Sequence, residues 1–346
     1  MNDEQIREIA DAILYEGYLL YPYRRSSIKN RQRWTFGVVY PRSYSEAQGI
    51  NEPWQMRTEC LVTGSGETKL DITMRFLHLL KHTTEEKDEG NGYRGYETWE
   101  EGRAREVAGQ DISLSELATG PKHIAIDFPE ESLVELERET IRVQRAIEGA
   151  MTISAEQVKN GLFKVTALIQ NMSEMKNHED GNGQSSRQPQ GMVATRGEVL
   201  LHSFVSTHTI LQVREGEFIS LLEPPDELIE VAKACQNTHT WPVLIGHEGE
   251  REAMLSSPII LYDYPKIAPE SIGTLFDGTE IDEILTLRIM TLTDEEKQEM
   301  RRTDELAREL LDRTEAMTAD DLMSLHGVIR NLQGIPYSGP DREVGR

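Results

Sequence analysis

Residues 70–80, LDITMRFLHLL, set the fold. Leu70, Ile72, Met74 and Phe76 alternate with Asp71, Thr73 and Arg75, the period-two pattern of a strand with one face buried. Working outward, residues 58–62 read as a further β-rich run. Gly64-Ser65-Gly66-Glu67 joins it to the first, and because both flanks are β-rich the glycines read as a hairpin turn rather than a phosphate cradle, which needs a helix start. Residues 34–40, 123–128 and 162–170 continue the β pattern. A run over 199–213 follows, and Arg214-Glu215-Gly216-Glu217 reads as a second hairpin turn leading to 218–222.

Helices flank this β-rich stretch. Ile6, Ile9, Ala10, Ile13 and Leu14 recur at helical spacing behind Asn2 or Asp3 as cap, with Pro22 beyond as a stop. Leu133, Leu136, Val143 and Ile147 suggest a helix over 131–148, with Gly149 as its stop. Residues 83–102 and 174–191, rich in Glu, Asp, Gly, Ser, Asn and Gln, read as mobile loops.

Beyond Pro224-Pro225 a short helix over 226–235 is expected, then strands over 241–245 and 258–261 separated by the charged turn 246–252. The stretch 256–285, SSPIILYDYPKIAPESIGTLFDGTEIDEIL, passes from an apolar strand through a proline-marked turn into a carboxylate-rich helix start. A helix over 279–290 follows. Thr293 and Glu296 form a capping box for the next, which runs to about residue 317, and Thr318 and Asp321 start a third that ends at Gly334 and Pro336.

The class expected is α+β: an antiparallel, sandwich-like β body with an N-terminal helix and a C-terminal mixed module ending in helices. The expected domains are 1–33, the N-terminal helix with a basic and aromatic segment; 34–223, the β-rich domain; and 224–346, the C-terminal α/β module.

A chain of 346 residues with 38% hydrophobic content can build a sizeable core. Its net charge of −23 repels nucleic-acid backbones and anionic lipid. No apolar run reaches the roughly 20 residues of a membrane helix. Two cysteines give no disulfide framework, and the start of the chain shows no secretory leader, so a cytoplasmic location is expected. On that reading the sequon Asn171-Met172-Ser173 is without meaning.

Four constellations merit chemistry. Asp277, Glu280, Asp282 and Glu283 gather carboxylates at a helix start, where they suit either a hard cation with a histidine such as His247, or simply the helix dipole. The calcium-loop spacing is absent, so an acidic protein-docking edge is the preferred reading. His202 and His208, six apart on a strand, stand too far apart to share an ion, and so do His78 and His82. Cys235 with His239, His247 and a remote Cys60 lacks the paired C-x-x-C of a strong zinc site. Finally Tyr15, Tyr18, Tyr21 and Tyr23 beside Arg24 and Arg25 have the composition of a binding hot spot. They lie at the edge of a basic run, Arg24, Arg25, Lys29, Arg31, Arg33 and Arg42, which has no carboxylate between Gly17 and Ser45. No cofactor motif and no nucleophile elbow is found.

The strings YEGYLLYPYR (15–24), RQRWTFGVVYP (31–41), SSPIILYDYP (256–265), APESIGTLFDGTEIDEILTLRI (268–289) and LTDEEK (292–297) resemble those of an uncharacterised bacterial protein family associated with nickel–iron hydrogenase gene clusters. The similarity runs over most of the chain. It implies a role in hydrogenase assembly or maturation, with a hydrogenase subunit or maturation factor as partner, and it assigns no catalytic residue. The paired C-x-x-C motifs or cluster-binding cysteines of a hydrogenase subunit proper are missing here.

The function expected is therefore a non-catalytic cytoplasmic accessory protein that binds another protein. Two alternatives stand beside it: a metal-dependent hydrolase or metal carrier using Asp277, Glu280 and Asp282, and a small-ligand-binding β-sandwich protein.

Overall fold

The computed structural model describes residues 3–15, 33–48, 52–87, 94–135, 140–175, 194–266, 289–303 and 305–317. Helix α1 (Asp3–Leu14) and the short α2 (Arg42–Gln48) precede β1 (Gln55–Lys87) and β2 (Arg94–Ser113). Next come α3 (Leu114–Thr119), β3 (Lys122–Phe128), β4 (Glu131–Glu135), β5 (Thr140–Gln144), β6 (Ile147–Lys159) and β7 (Leu162–Asn171). Then follow α4 (Arg196–Leu200), β8 (Val205–Ile219), a 3-10 turn (Asp226–Leu228) running into α5 (Ile229–Lys233), β9 (Trp241–Leu244) and β10 (Ala253–Ser257). Two helices close the described chain, α6 (Asp294–Thr303) and α7 (Glu305–Ala316). The fold is α+β, built on one antiparallel sheet of ten strands.

Strand β1 organises the rest. At 33 residues it would span roughly 110 Å if straight, so it must bend, and it exchanges partners along its length. Residues 55–63 pair with β7 on one edge, and 69–87 pair with β2 on that same edge. The other edge takes β8 along 61–77 and then β5 at 80–84. Beyond β7 lie β6 and β3, and beyond β8 lie β10 and β9.

The bend falls where two hairpin turns are expected from the sequence. Gly64-Ser65-Gly66-Glu67 and Arg214-Glu215-Gly216-Glu217 are not turns: both lie inside continuous strands, and Gly64 stands opposite Gly216. A Cβ on Gly64 would lie 2.2 Å from Thr68 Oγ1, and one on Gly216 2.7 Å from both the Thr63 carbonyl and Thr68 Cγ2. The ladder shifts register there, with residues 65–68 of β1 set against Glu215 alone in β8, so the glycines make room for a bulge that folds over the buried Thr68.

The alternation of 70–76 holds. Leu70, Ile72, Met74 and Phe76 face a main core that they share with Val62, Ile126, Met151, Ile153, Val165, Phe204, Leu211, Phe218 and Met254. On the opposite face Leu77 and Leu79 pack under Trp34, Tyr40, Val199, Met300, Leu310 and Leu311. Helix α1 lies on that side too, burying Ile6, Ile9, Ala10 and Ile13 against Ile210, Val243 and Leu255. Arg75 fastens it through Asp11 at 2.6 Å, with Glu106 at 2.8 Å on the other side of the guanidinium. The expected capping box at Thr293 and Glu296 is formed in both directions, at 3.2 and 2.9 Å, and Lys297 and Arg301 of α6 pair with Glu315 of α7.

Several expectations are corrected. The helix over 131–148 is instead β4, β5 and the start of β6. Its Leu/Val/Ile spacing suits a strand equally well, and pairing to β1 decides the matter. Gly149 is no helix stop: a Cβ there would lie 2.4 Å from the Gln170 carbonyl and 2.8 Å from the Phe204 ring, so it marks close strand approach. Residues 83–87 and 94–102 are strand rather than loop, paired to each other across β1 and β2. Residues 34–40 make a single bridge, Val39 to Phe204, because Trp34 and Gly37 take positive φ values of 65° and 52° that interrupt an extended run. The run from 199 begins as α4, capped by Thr195 and Glu198, and turns to strand at Val205. The strand expected over 258–261 lies at 253–257 instead, paired to β8 and β9. The elements expected over 174–191, 279–290 and beyond 318 fall wholly or mostly outside the described residues.

Candidate functional site

The far end of β1, with β2, β5 and β4, carries two unusual faces. On the inner face the alternation continues past Phe76 into His78 and His82, but the residues beside them are now polar. Arg105 and Arg103 of β2 stand opposite Phe76 and His78, and Trp99 stands opposite His82. On the other edge Gln144 and Arg142 of β5 stand opposite Leu80 and His82. Pairing in register places all these side chains on one side of the sheet.

Their contacts form a network. His82 Nε2 lies 2.7 Å from Glu101 Oε2 and its ring stacks on Trp99 at 4.8 Å. Arg142 approaches the same carboxylate at 3.7 Å. The hydrogen bond from His82 and then Arg142 hold Glu101 below the usual carboxylate range, against the opposing effect of burial. His78 Nε2 must donate to the Arg145 carbonyl at 2.9 Å, since a carbonyl only accepts. Burial, then the charges of Arg105 and Arg103, depress the His78 imidazole to about 3. It is neutral at physiological pH. Arg105 lies over the Phe128 ring at 4.7 Å and donates to Gln144 Oε1, which also accepts from Arg103 at 3.3 Å.

The outer face of the same ribbon is apolar and open. Val134 of β4 and Ile141 of β5 are directly opposed, yet they are 63% and 45% exposed. Leu133, on the inner side, is 53% exposed. Among the described residues β4 pairs with β5 alone, which leaves its far edge without a strand. Natural sheets usually blunt such edges or cover them.

Of the residues expected to act, Tyr15 is half-buried and packs against the cluster that includes Leu14, Trp34 and Tyr40. Tyr18, Tyr21, Tyr23, Arg24, Arg25, Asp277, Glu280, Asp282 and Glu283 lie outside the described residues. His247 is exposed in the turn after β9, where its backbone N–H donates to Glu250. Among the described residues no group of three or more His, Cys, Asp or Glu side chains could hold a metal ion. His208 is buried and bonds to the Ser206 carbonyl, while His202 bonds to the Ala146 carbonyl. Burial raises both thiols: Cys60 lies well above the ordinary range, and Cys235 is pushed up to about 11. Neither is a ready nucleophile. Among the described residues no helix is long and apolar enough to cross a membrane.

Sequence reasoning missed the arginine face because 83–102 and 131–148 read as loop and helix. The available signal was GRAREVAG, 102–109, where Arg103 and Arg105 alternate with Ala104 and Glu106. No protein-family model and no curated protein matches this chain.

Proposed function

We propose that this chain is a non-catalytic accessory protein that docks another protein along the β4–β5 ribbon. The observation that carries the reading is the directly opposed Val134–Ile141 pair, left exposed where β4, beyond β5 and β1, has no further strand on its far edge among the described residues. Such an edge offers backbone donors and acceptors to an added strand, and the apolar pair offers side-chain contact area. The resemblance to the hydrogenase-associated family supplies the class of partner: a hydrogenase subunit or a maturation factor.

Affinity capture from native lysate with the wild-type chain and with a Val134→Lys/Ile141→Lys variant tests this. The expected result is a stoichiometric partner retained by the wild type and lost by an equally folded variant, with mass spectrometry placing it among hydrogenase subunits or maturation factors. Equal capture by both chains contradicts the docking surface. A retained partner unrelated to hydrogenase contradicts the partner class.

A further inference from the structure

Arg105 differs from the arginines around it. Arg103, Arg142 and Arg145 each have a carboxylate within ion-pair distance, Glu131 at 3.8 Å, Glu101 at 3.7 Å and Glu130 at 3.0 Å. Arg105 has none among the described residues. Its contacts are the Phe128 ring and the neutral oxygen of Gln144, and its Nε–H is buried with no acceptor.

Gln144 is 2% exposed, and its orientation is fixed. Nε2 donates to the Pro129 carbonyl at 2.9 Å, so Oε1 must be the atom facing Arg103 and Arg105. Two guanidinium groups thus converge on one uncharged oxygen, where a carboxylate is the usual partner. A half-buried cation with no carboxylate in ion-pair contact is costly to keep, and Glu131 acts on Arg105 only at longer range. Beside Arg105, the His78 Nδ1 is also buried without a partner.

We infer that Arg105 and Arg103, fixed by Gln144 and the Phe128 ring, form a receptor for a carboxylate group. A planar, singly charged carboxylate matches the guanidinium fork. Glu131 lies 3.8 Å from Arg103, and Glu101 stands on the same face of the sheet, so a singly charged anion is repelled less there than a phosphate dianion. The carboxylate comes either from a small free acid or from an Asp or Glu side chain of a protein partner.

The test is thermal unfolding of the full chain at constant ionic strength with acetate, succinate, inorganic phosphate and a Glu-containing peptide, run on wild type, Arg105→Gln and Gln144→Glu. At least one carboxylate probe should raise the wild-type transition saturably, and phosphate should do less. Arg105→Gln should weaken the apparent affinity by about tenfold or more, as loss of a charge-assisted hydrogen bond requires. Gln144→Glu supplies the charge internally, so it should unfold at higher temperature without ligand and no longer respond. A response to peptide alone assigns the carboxylate to a partner's side chain; a response to acetate or succinate assigns it to a small acid. The inference is overturned if no carboxylate stabilises the wild type, if phosphate matches or exceeds the carboxylates, if Arg105→Gln responds like wild type, or if Gln144→Glu lowers the transition.

Discussion

Thr68 Oγ1 in β1 donates a 2.6 Å hydrogen bond to the Glu215 carbonyl in β8, and this bond ties the two strands together across the bulge where their register shifts. The same oxygen accepts the Ser65 N–H at 3.0 Å. Thr68→Val keeps the shape but loses both bonds, and it should cost about 1–3 kcal/mol. Gly216→Ala places a methyl against the Thr63 carbonyl and Thr68 and should cost about 1–3 kcal/mol through overpacking. Urea denaturation midpoints read both. Wild-type stability in either variant contradicts a shared corner.

The buried histidines make stability depend on pH. Burial, with the charge of Arg75, lowers His208 to about 4, although the Ser206 carbonyl opposes the shift. His78 is lowered to about 3. Both folded-state values lie below the unfolded value near 6.5. The unfolded chain therefore binds protons that the folded chain refuses. The stabilisation is complete above pH 6.5 and drains as pH falls toward 4, at about 1.4 kcal/mol per pH unit for each histidine. Denaturation midpoints at pH 7, 6 and 5 should fall steadily, and His208→Gln should flatten the slope. A flat profile between pH 7 and 5 contradicts the buried neutral imidazoles.

Helix α1 is held by Ile6, Ile9, Ala10 and Ile13 and by the Asp11–Arg75 ion pair. Asp11→Asn leaves the buried Arg75 with Glu106 as its one charged partner among the described residues. Amide hydrogen exchange in α1 should quicken by about tenfold, equivalent to about 1.4 kcal/mol of local opening. Exchange in β6 and β7 should stay unchanged.

Asn171 is completely buried: Nδ2 donates to the Val39 and His202 carbonyls at 2.9 Å each, and Oδ1 accepts the Ser173 N–H at 2.9 Å. With its amide so engaged, the Asn171-Met172-Ser173 sequon cannot carry a glycan in the folded chain. Asn171→Leu strands three buried backbone groups and should cost about 3 kcal/mol or more. A near-neutral midpoint contradicts that network.

What the sequence revealed follows from locality. The alternation in 70–76, the α1 stripe and the Thr293 capping box are set by residues a few positions apart, and all three are present. The glycine pairs mislead because a turn and a bend need the same small residue; only the facing strand distinguishes them, and that strand lies about 150 positions away. Residues 131–148 mislead for a related reason: Thr140, Ile141 and Val143 favour extended backbone, but only β1 fixes them as a strand. The alternation in GRAREVAG, 102–109, marks Arg103 and Arg105 on one face of β2, but Arg142 and Gln144 join them only through the pairing of β5 to β1, which no local motif announces.

The docking claim is tested most directly by amide hydrogen exchange on the captured complex. Added protection should concentrate on β4 and the Val134–Ile141 ribbon, with β9 and β10 unchanged. Protection confined to other surfaces, with the ribbon exchanging as it does in the free chain, would contradict the account.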